Sequence, residues 1–136
     1  MRSSVNYVVL DSSALLAVLQ QEPGGERVAE AMEDTDTDVA ISSVNLCEVV
    51  SKLVHDGIGS AEIRLVISQL ELDVVSFRGE DAYDAGHLRT ATLSLGLSLG
   101  DRVCLALAGS RNAAAWTTDR VWKKLKTGVK VELIRN

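Results

Sequence analysis

The stretch from residue 5 to residue 20 constrains the fold more than any other part of the chain. Residues 5–10 form a short, valine-rich apolar run that ends directly at Asp11. Residues 12–20 continue at once as a helix former. An apolar strand that passes straight into a helix at an acidic residue is typical of an α/β fold, with the acid at the carboxyl end of the strand.

The same alternation continues along the rest of the chain. Short apolar or β-branched runs predict further strands at residues 39–41, 74–77, 113–117 and 129–134. Apolar spacing predicts helices at residues 26–33, 43–54, 63–70, about 80–95, 102–108 and 121–125, with loops at 34–38 and 96–100. Strands separated by helices throughout predict a three-layer α/β/α sandwich around a mainly parallel sheet of four to five strands.

Length and composition predict one globular domain over residues 1–136. The chain is 46% apolar and 24% charged, and its apolar runs are far shorter than a membrane span. Asp11 interrupts the N-terminal apolar stretch before a signal-peptide core can form, so we expect no membrane association and a cytoplasmic location. Cys47 and Cys104 lie in apolar helical patterns, which predicts buried free thiols.

Charge is spread unevenly along the chain. The formal net charge is -5, but residues 119–136 carry +4 and residues 1–118 carry -9. An acidic body argues against binding nucleic acid by bulk electrostatics. The basic C-terminal segment nevertheless contains candidates for backbone phosphate contacts, namely Arg120, Lys123 and Lys124. An ordinary solvated face explains the same charges equally well.

Four acids are candidates for a functional site. Two follow predicted strands, one opens a predicted helix and one lies within another. Asp11 and Asp119 follow predicted strands, whose carboxyl ends line the ligand crevice of such sheets. Asp101 opens a predicted helix, and Glu48 lies off the apolar stripe of its helix on the side of Asn45. Taken singly, these residues also fit helix N-caps, a capping box or plain surface.

The local sequence around each acid resembles a motif of the PIN domain. Residues 8–17 (VVLDSSALLA) resemble the opening motif, and residues 42–49 resemble the second, with an asparagine three residues before the glutamate. Residues 96–108 (GLSLGDRVCLALA) resemble the third motif in the form found in VapC toxins, and residues 115–122 resemble the fourth. Order and spacing agree over essentially the whole chain, and the departure is Cys47, where a small apolar residue is more usual.

The resemblance implies a metal-dependent endoribonuclease that acts as the toxin of a toxin–antitoxin pair. It implies that Asp11, Glu48, Asp101 and Asp119 hold Mg²⁺ or Mn²⁺, ions that prefer oxygen ligands. We expect Ser12, Asn45 and Thr117 to support these acids. The resemblance further implies an RNA substrate, a cognate antitoxin and a toxin homodimer.

Two other functions remain open from the sequence. The chain has the pattern expected of a PIN-like binding module that works chiefly through complex formation, although its four acids argue against a degenerate site. An aspartate-based phosphotransfer domain also places an aspartate after its first strand. Here Asp11 is followed by Ser12 and Ser13, where receivers and hydrolases of that kind require further acids.

Overall fold

The computed structural model describes residues 6–136, in which strands and helices alternate as the sequence predicts. The predicted strand residue Val5 lies outside this range. The strands are β1 (Asn6–Leu10), β2 (Thr37–Ser42), β3 (Asp73–Val75), β4 (Ala114–Thr117) and β5 (Val131–Leu133). The α-helices are α1 (Ser12–Leu19), α2 (Gly25–Glu33), α3 (Ser43–His55), α4 (Ser60–Ser68), α5 (Gly79–His87), α6 (Arg89–Thr92) and α7 (Leu99–Ser110), with 3₁₀ helices at Leu93–Leu95 and Arg120–Lys124.

The strands form one five-stranded sheet in the order β3-β2-β1-β4-β5, and every neighbouring pair is parallel. The chain runs outward from the central β1 through β2 to β3 and then returns to place β4 on the other side of β1. The strand order therefore reverses between β1 and β4. In open parallel sheets, this switch point opens a crevice at the carboxyl ends of the strands.

Both faces of the sheet are covered, because the side chains of β1 alternate between two cores. Val8 and Leu10 pack with α1, α2 and α3 on one face. Val9 packs on the other face with Cys104 and Leu105 of α7 and with Trp122. A parallel sheet buried on both faces requires apolar residues at consecutive positions, which explains the unbroken apolar run before Asp11. The predicted three-layer α/β/α sandwich is confirmed.

The helix predicted at about residues 80–95 is interrupted. It divides into α5, α6 and a 3₁₀ turn, with Leu88 between α5 and α6. The fully buried Thr92 hydroxyl donates a 2.8 Å hydrogen bond to the Leu88 carbonyl, four residues earlier. Such back-bonding bends helices, and its cause is a buried tertiary position that the apolar pattern does not reveal.

Several smaller predictions differ from the structure; the strand predicted at residues 129–134, for example, is shortened to Val131–Leu133. β2 begins at Thr37 rather than residue 39, because Thr37 and Asp38 already pair with β1. α7 begins at Leu99 rather than residue 102. Cys104 is buried as predicted, but Cys47 is exposed. On α3 it lies two residues from the buried Asn45 and Val49, which places it on the opposite side of the helix.

Within residues 6–136, no helix is both long enough and apolar enough to cross a lipid bilayer.

Candidate active site

Asp11 and Thr117 lie side by side at the switch point of the sheet. Leu10 of β1 is in register with Trp116 of β4, and the Asp11 N–H donates to the Trp116 carbonyl at 3.1 Å. The next residue on each strand therefore points into the same crevice. The strand-end rule correctly places Asp11 and brings the segment that leads to Asp119 beside it.

The Asp11 carboxylate is almost fully buried, with 5% of the residue exposed. Its Oδ1 accepts hydrogen bonds from the Ser13 hydroxyl at 2.7 Å and the Ala14 N–H at 2.9 Å, and so caps α1. Its Oδ2 accepts from the Thr117 hydroxyl at 2.5 Å. Burial raises the pKa of Asp11 to about 6, even though the hydrogen bonds from Thr117, Ser13 and Ala14 oppose that rise; the charge of Asp101 adds to it.

Ser13, which the sequence reasoning did not select, ties the start of α1 to the end of β4. Its hydroxyl donates to Asp11 and accepts from the Thr118 N–H at 3.0 Å. Thr117 acts similarly, since its hydroxyl donates to Asp11 and accepts from the Asp119 N–H at 3.0 Å. These two hydroxyls fix the Asp11 carboxylate relative to Asp119. The signal in the sequence was a second hydroxyl residue directly after Ser12.

Asp119 is exposed and opens the 3₁₀ helix Arg120–Lys124. Its Oδ1 accepts from the Val121 N–H at 3.0 Å, so the N-cap role considered from the sequence is present. The cap uses one carboxylate oxygen. No residue in the range 6–136 donates a hydrogen bond to the Oδ2 of Asp119, which leaves that oxygen available to a ligand.

Glu48 lies on α3, where two neighbouring side chains orient its carboxylate. Its Oε1 accepts hydrogen bonds from the Ser12 hydroxyl and from Asn45 Nδ2, the latter at 3.0 Å. Asn45 is fully buried, and the same Nδ2 donates at 3.0 Å to the carbonyl of Gly100. The contacts predicted for Ser12 and Asn45 thus join α1, α3 and α7 at one point.

Asp101 lies in the first turn of α7 as its third residue, not at the N-cap as the sequence suggested. The N-cap is Ser98, whose hydroxyl accepts from the Asp101 N–H at 3.2 Å while Asp101 Oδ2 accepts from the Ser98 N–H at 2.9 Å. This reciprocal capping box was readable as Ser-x-x-Asp. Burial raises the pKa of Asp101, and the charges of Asp119 and Glu48 raise it further, against the Ser98 hydrogen bonds.

The fold brings all four predicted acids to one region, with Asp101 in the middle. Asp101 is close enough to the other three acids to interact with each of them electrostatically. Its charge raises the pKa of Asp11, and the charges of Glu48 and Asp119 raise the pKa of Asp101. Within residues 6–136, however, no three His, Cys, Asp or Glu side chains form a group that could hold an ion as they stand. The donor set fits a hard cation chemically, since it consists of carboxylate oxygens alone.

The basic residues predicted for phosphate contacts follow this acidic region directly. Arg120, Lys123 and Lys124 occupy the 3₁₀ helix that Asp119 caps, and all three are exposed. Cations at this position carry positive charge to the rim of a negative crevice. The structure thus brings these residues near the acids without assigning them a ligand.

A cavity of about 530 Å³ adjoins Glu48. It is lined by residues of α3, the β3–α5 connection and the start of α7, namely Ser43, Val44, Cys47, Glu48, Phe77, Ser98, Leu99 and Gly100. A larger cavity of about 900 Å³ lies at the opposite, amino ends of β1 and β4 and includes none of the four acids. Of the four acids, only Glu48 lines the cavity beside α3.

Comparison with known families identifies the chain. The profile described as the PIN domain matches residues 8–127, which contain all four acids. The chain belongs to the PIN domain family. A search of curated proteins by sequence found no significant match.

Solved structures resemble this PIN domain over nearly its whole length. VapBC2 from Rickettsia felis, bound to a DNA fragment from its promoter, gives a TM-score of 0.71 at 20% identity, covering 93% of this chain and 98% of that one. A toxin–antitoxin complex from Klebsiella pneumoniae gives 0.71 at 18% identity, with 95% and 98% covered. DNA-bound VapBC from Salmonella typhimurium gives 0.70 at 18% identity, with 96% and 98% covered. At these identities the likeness establishes the fold.

Proposed function

We propose that this PIN domain is a Mg²⁺- or Mn²⁺-dependent endoribonuclease that hydrolyses RNA phosphodiester bonds. The observation that carries the proposal is the meeting of Asp11, Glu48, Asp101 and Asp119 at the carboxyl edge of the sheet. Burial raises the pKa of Asp11 and of Asp101, and the neighbouring negative charges raise both further. Carboxylates in that condition are stabilised by a divalent cation.

Asp11, Asp101, Asp119 and Glu48 would hold the metal. A bound Mg²⁺ or Mn²⁺ lowers the pKa of water and stabilises the charge that develops on a phosphodiester. Asp11 presents a carboxylate whose orientation is fixed by three hydrogen bonds. The cap from Asp119 to Val121 uses Oδ1, and no residue of the described range 6–136 donates to its Oδ2.

Glu48 is suited to accept a proton from the attacking water. Its Oε1 is held by Ser12 and Asn45, and the residue is exposed, so water can approach the carboxylate. A positioned carboxylate within hydrogen-bond reach of a nucleophilic water contributes by general base catalysis. A general base must be held in place and must also be open to water. Glu48 meets both conditions, because its Oε1 is held while the side chain is exposed.

Two features support RNA and a toxin role. Arg120, Lys123 and Lys124 place three cations next to Asp119, where they can bind backbone phosphates. The fold matches VapBC toxin–antitoxin complexes along almost its full length. On this basis we propose a VapC-type toxin that is controlled by a cognate antitoxin and forms a homodimer.

The phosphotransfer alternative is disfavoured by the surroundings of Asp11. Receivers and hydrolases of that kind require further acids directly after the aspartate, whereas here Ser12 and Ser13 follow it, and their hydroxyls donate to Glu48 and to Asp11. Labelling of the purified chain by acetyl phosphate would revive that alternative.

The proposal is tested by incubating the purified chain with structured and single-stranded RNA and either Mg²⁺ or Mn²⁺. We expect cleavage that stops on addition of chelator and is lost in Asp11→Asn and Asp101→Asn. The exposed residue Glu62 on α4 lies outside the site, so Glu62→Gln is a matched control that should cut at the wild-type rate. Cleavage that survives chelation, or wild-type rates in both aspartate variants, would reject the mechanism. Absence of cleavage with either metal would favour the binding-module alternative.

A further inference from the structure

We infer that Gly100 is a positioning residue: its missing side chain leaves the space in which the Glu48 carboxylate rests beside Asp101. The inference rests on the proposed function, since it concerns where Glu48 must stand to act. Gly100 is the second residue of α7, immediately before Asp101, and it is buried. In the sequence it closes the predicted loop 96–100 and lies within the third motif, and neither feature predicts a contact with Glu48.

The carboxylate of Glu48 occupies the space that a side chain at residue 100 would fill. A β-carbon built on Gly100 would lie 2.5 Å from Glu48 Oε1 and 2.6 Å from Glu48 Cδ, and Oε2 would also overlap it. Real β-carbons do not approach other atoms this closely, so an alanine would force the carboxylate to move. The obstacle would be the functional end of Glu48.

The backbone of Gly100 gives no other reason for glycine. Its conformation is helical, and it is not among the glycines with positive φ, which are Gly24, Gly57, Gly96 and Gly128. Glycine in a helix is less favourable than alanine because it loses more backbone freedom on folding. What remains to explain the glycine is its contact with Glu48.

Asn45 makes the contact specific. Its Nδ2 donates to Glu48 Oε1 and to the Gly100 carbonyl, both at 3.0 Å, and its side chain is buried between the two helices. The distance between α3 and α7 is therefore fixed at the point where the carboxylate meets Gly100. A methyl group added there cannot be accommodated by separating the helices without breaking these hydrogen bonds, so the carboxylate would be displaced from Asp101.

The first test asks whether space at residue 100 controls cleavage. We expect Gly100→Ala to cut RNA about 10- to 100-fold more slowly, the loss that follows when a reacting group is displaced by about 1 Å. Glu48→Asp shortens the acid by one methylene. The shorter acid does not reach the space at residue 100, so adding Gly100→Ala to Glu48→Asp should slow cleavage much less than adding it to the wild-type chain, a difference that a purely structural role for Gly100 does not produce.

Gly79→Ala is the matched control. Gly79 also lies in the first turn of a helix, and a β-carbon there meets nothing within 4 Å. This variant should cut at the wild-type rate. A wild-type rate in Gly100→Ala, or equal slowing by Gly100→Ala in the wild-type chain and in Glu48→Asp, would overturn the inference while leaving the nuclease proposal intact.

The second test needs no cleavage. Thermal unfolding is measured for Gly100→Ala and Gly79→Ala, each in the wild-type chain and in Glu48→Ala. Gly100→Ala should raise the unfolding midpoint more in Glu48→Ala than in the wild type, because the overlap is gone, whereas Gly79→Ala should act equally in both. An equal effect of Gly100→Ala in both backgrounds would overturn the inference. If Gly100→Ala does not fold, the double variant Gly100→Ala/Glu48→Ala decides the question. Recovery of folding in that variant would support the inference, and continued failure would count against the inference.

If the wild type cuts no RNA with either metal, the proposed function fails, and the unfolding comparison still decides whether Gly100 positions Glu48.

Discussion

Thr117 donates a 2.5 Å hydrogen bond to Oδ2 of Asp11, which joins residues 106 positions apart at the centre of the sheet. Both partners are buried, and Thr117 has no exposed surface at all. The bond favours the charged form of a carboxylate that burial would otherwise neutralise. Thr117 thus keeps Asp11 available as an anion in a place where water cannot.

Thr117→Val removes the hydroxyl with little change in shape. The pKa of Asp11 should rise above its value in the wild type, and the free energy of unfolding should fall by roughly 1–3 kcal/mol, because the Asp119 N–H also loses its acceptor. The pKa is measured by carbon-13 NMR titration of the metal-free protein. Thr117→Ser keeps the hydroxyl and should behave like the wild type; an unchanged pKa in the valine variant would contradict the role given to Thr117.

Asp11→Asn should abolish RNA cleavage and yet stabilise the metal-free protein. The folded-state pKa of about 6 lies above the ordinary value of 3.8, so the folded state binds the proton more tightly than the unfolded state. Protonated Asp11 therefore stabilises the folded state relative to the ionised form. This stabilisation is complete below about pH 4 and is lost as the pH rises through 6. Asparagine is uncharged at every pH, so its advantage should reach roughly 3 kcal/mol at pH 7.

Chemical denaturation of Asp11→Asn and the wild type at pH 4 and pH 7 measures this effect. The two proteins should differ little at the lower pH and clearly at the higher one, and Mg²⁺ should reduce the difference by stabilising only the wild type. Equal differences at both pH values would mean that the charge on Asp11 is not the cause.

Two substitutions at Asp119 separate its cap from its charge. Asp119→Ser keeps an oxygen that can accept from the Val121 N–H, so it should unfold close to the wild type while losing cleavage. Asp119→Ala should lose cleavage and, in addition, about 1 kcal/mol of stability. Denaturation curves and cleavage rates measured together distinguish the two roles. If Asp119→Ser cuts at the wild-type rate, the charge of Asp119 is not needed for cleavage and its role is only to cap the 3₁₀ helix.

Lys123→Ala should weaken binding of single-stranded RNA and reduce its dependence on salt. Removing one cation that binds a phosphate should lower the slope of the logarithm of affinity against the logarithm of salt concentration by about 0.7. Titration of a fluorescent oligonucleotide with an Asp11→Asn background measures binding without cleavage. Arg64→Ala removes an exposed cation on α4, away from the acids, and should leave both affinity and slope unchanged. Equal effects of the two substitutions would show that only overall charge matters.

The strand ends were predictable, because the apolar run before Asp11 and the strand that ends at Thr117 are read directly from residue type. Parallel strands then bring their carboxyl ends to one edge, whatever else the fold contains. Asp101 was harder, since its place depends on Ser98 as the N-cap, four residues before the predicted helix start. The sequence carried that signal, but the glycine and leucine between the two residues weakened it.

Other contacts could not have been predicted, because they depend on distances between elements far apart in the chain. The contact between Gly100 and Glu48 joins helices through residues that are 52 positions apart, and no local pattern records it. The break at Thr92 likewise depends on burial, and the exposure of Cys47 depends on which side of α3 faces the sheet. These contacts are set by the packing of elements against one another. The periodicity of apolar residues shows only which side of its own helix or strand a residue lies on.

The position of β4 beside β1 also has a consequence for synthesis of the chain on the ribosome. β1 and Asp11 are made first, but Thr117 and Asp119 follow more than a hundred residues later, so a nascent chain that stops before β4 has no Thr117 hydroxyl to hold the Asp11 carboxylate. Contacts between distant parts of a chain also form late in folding. The nascent chain therefore cannot assemble the complete acidic site until the segment that carries β4 and Asp119 has left the ribosome.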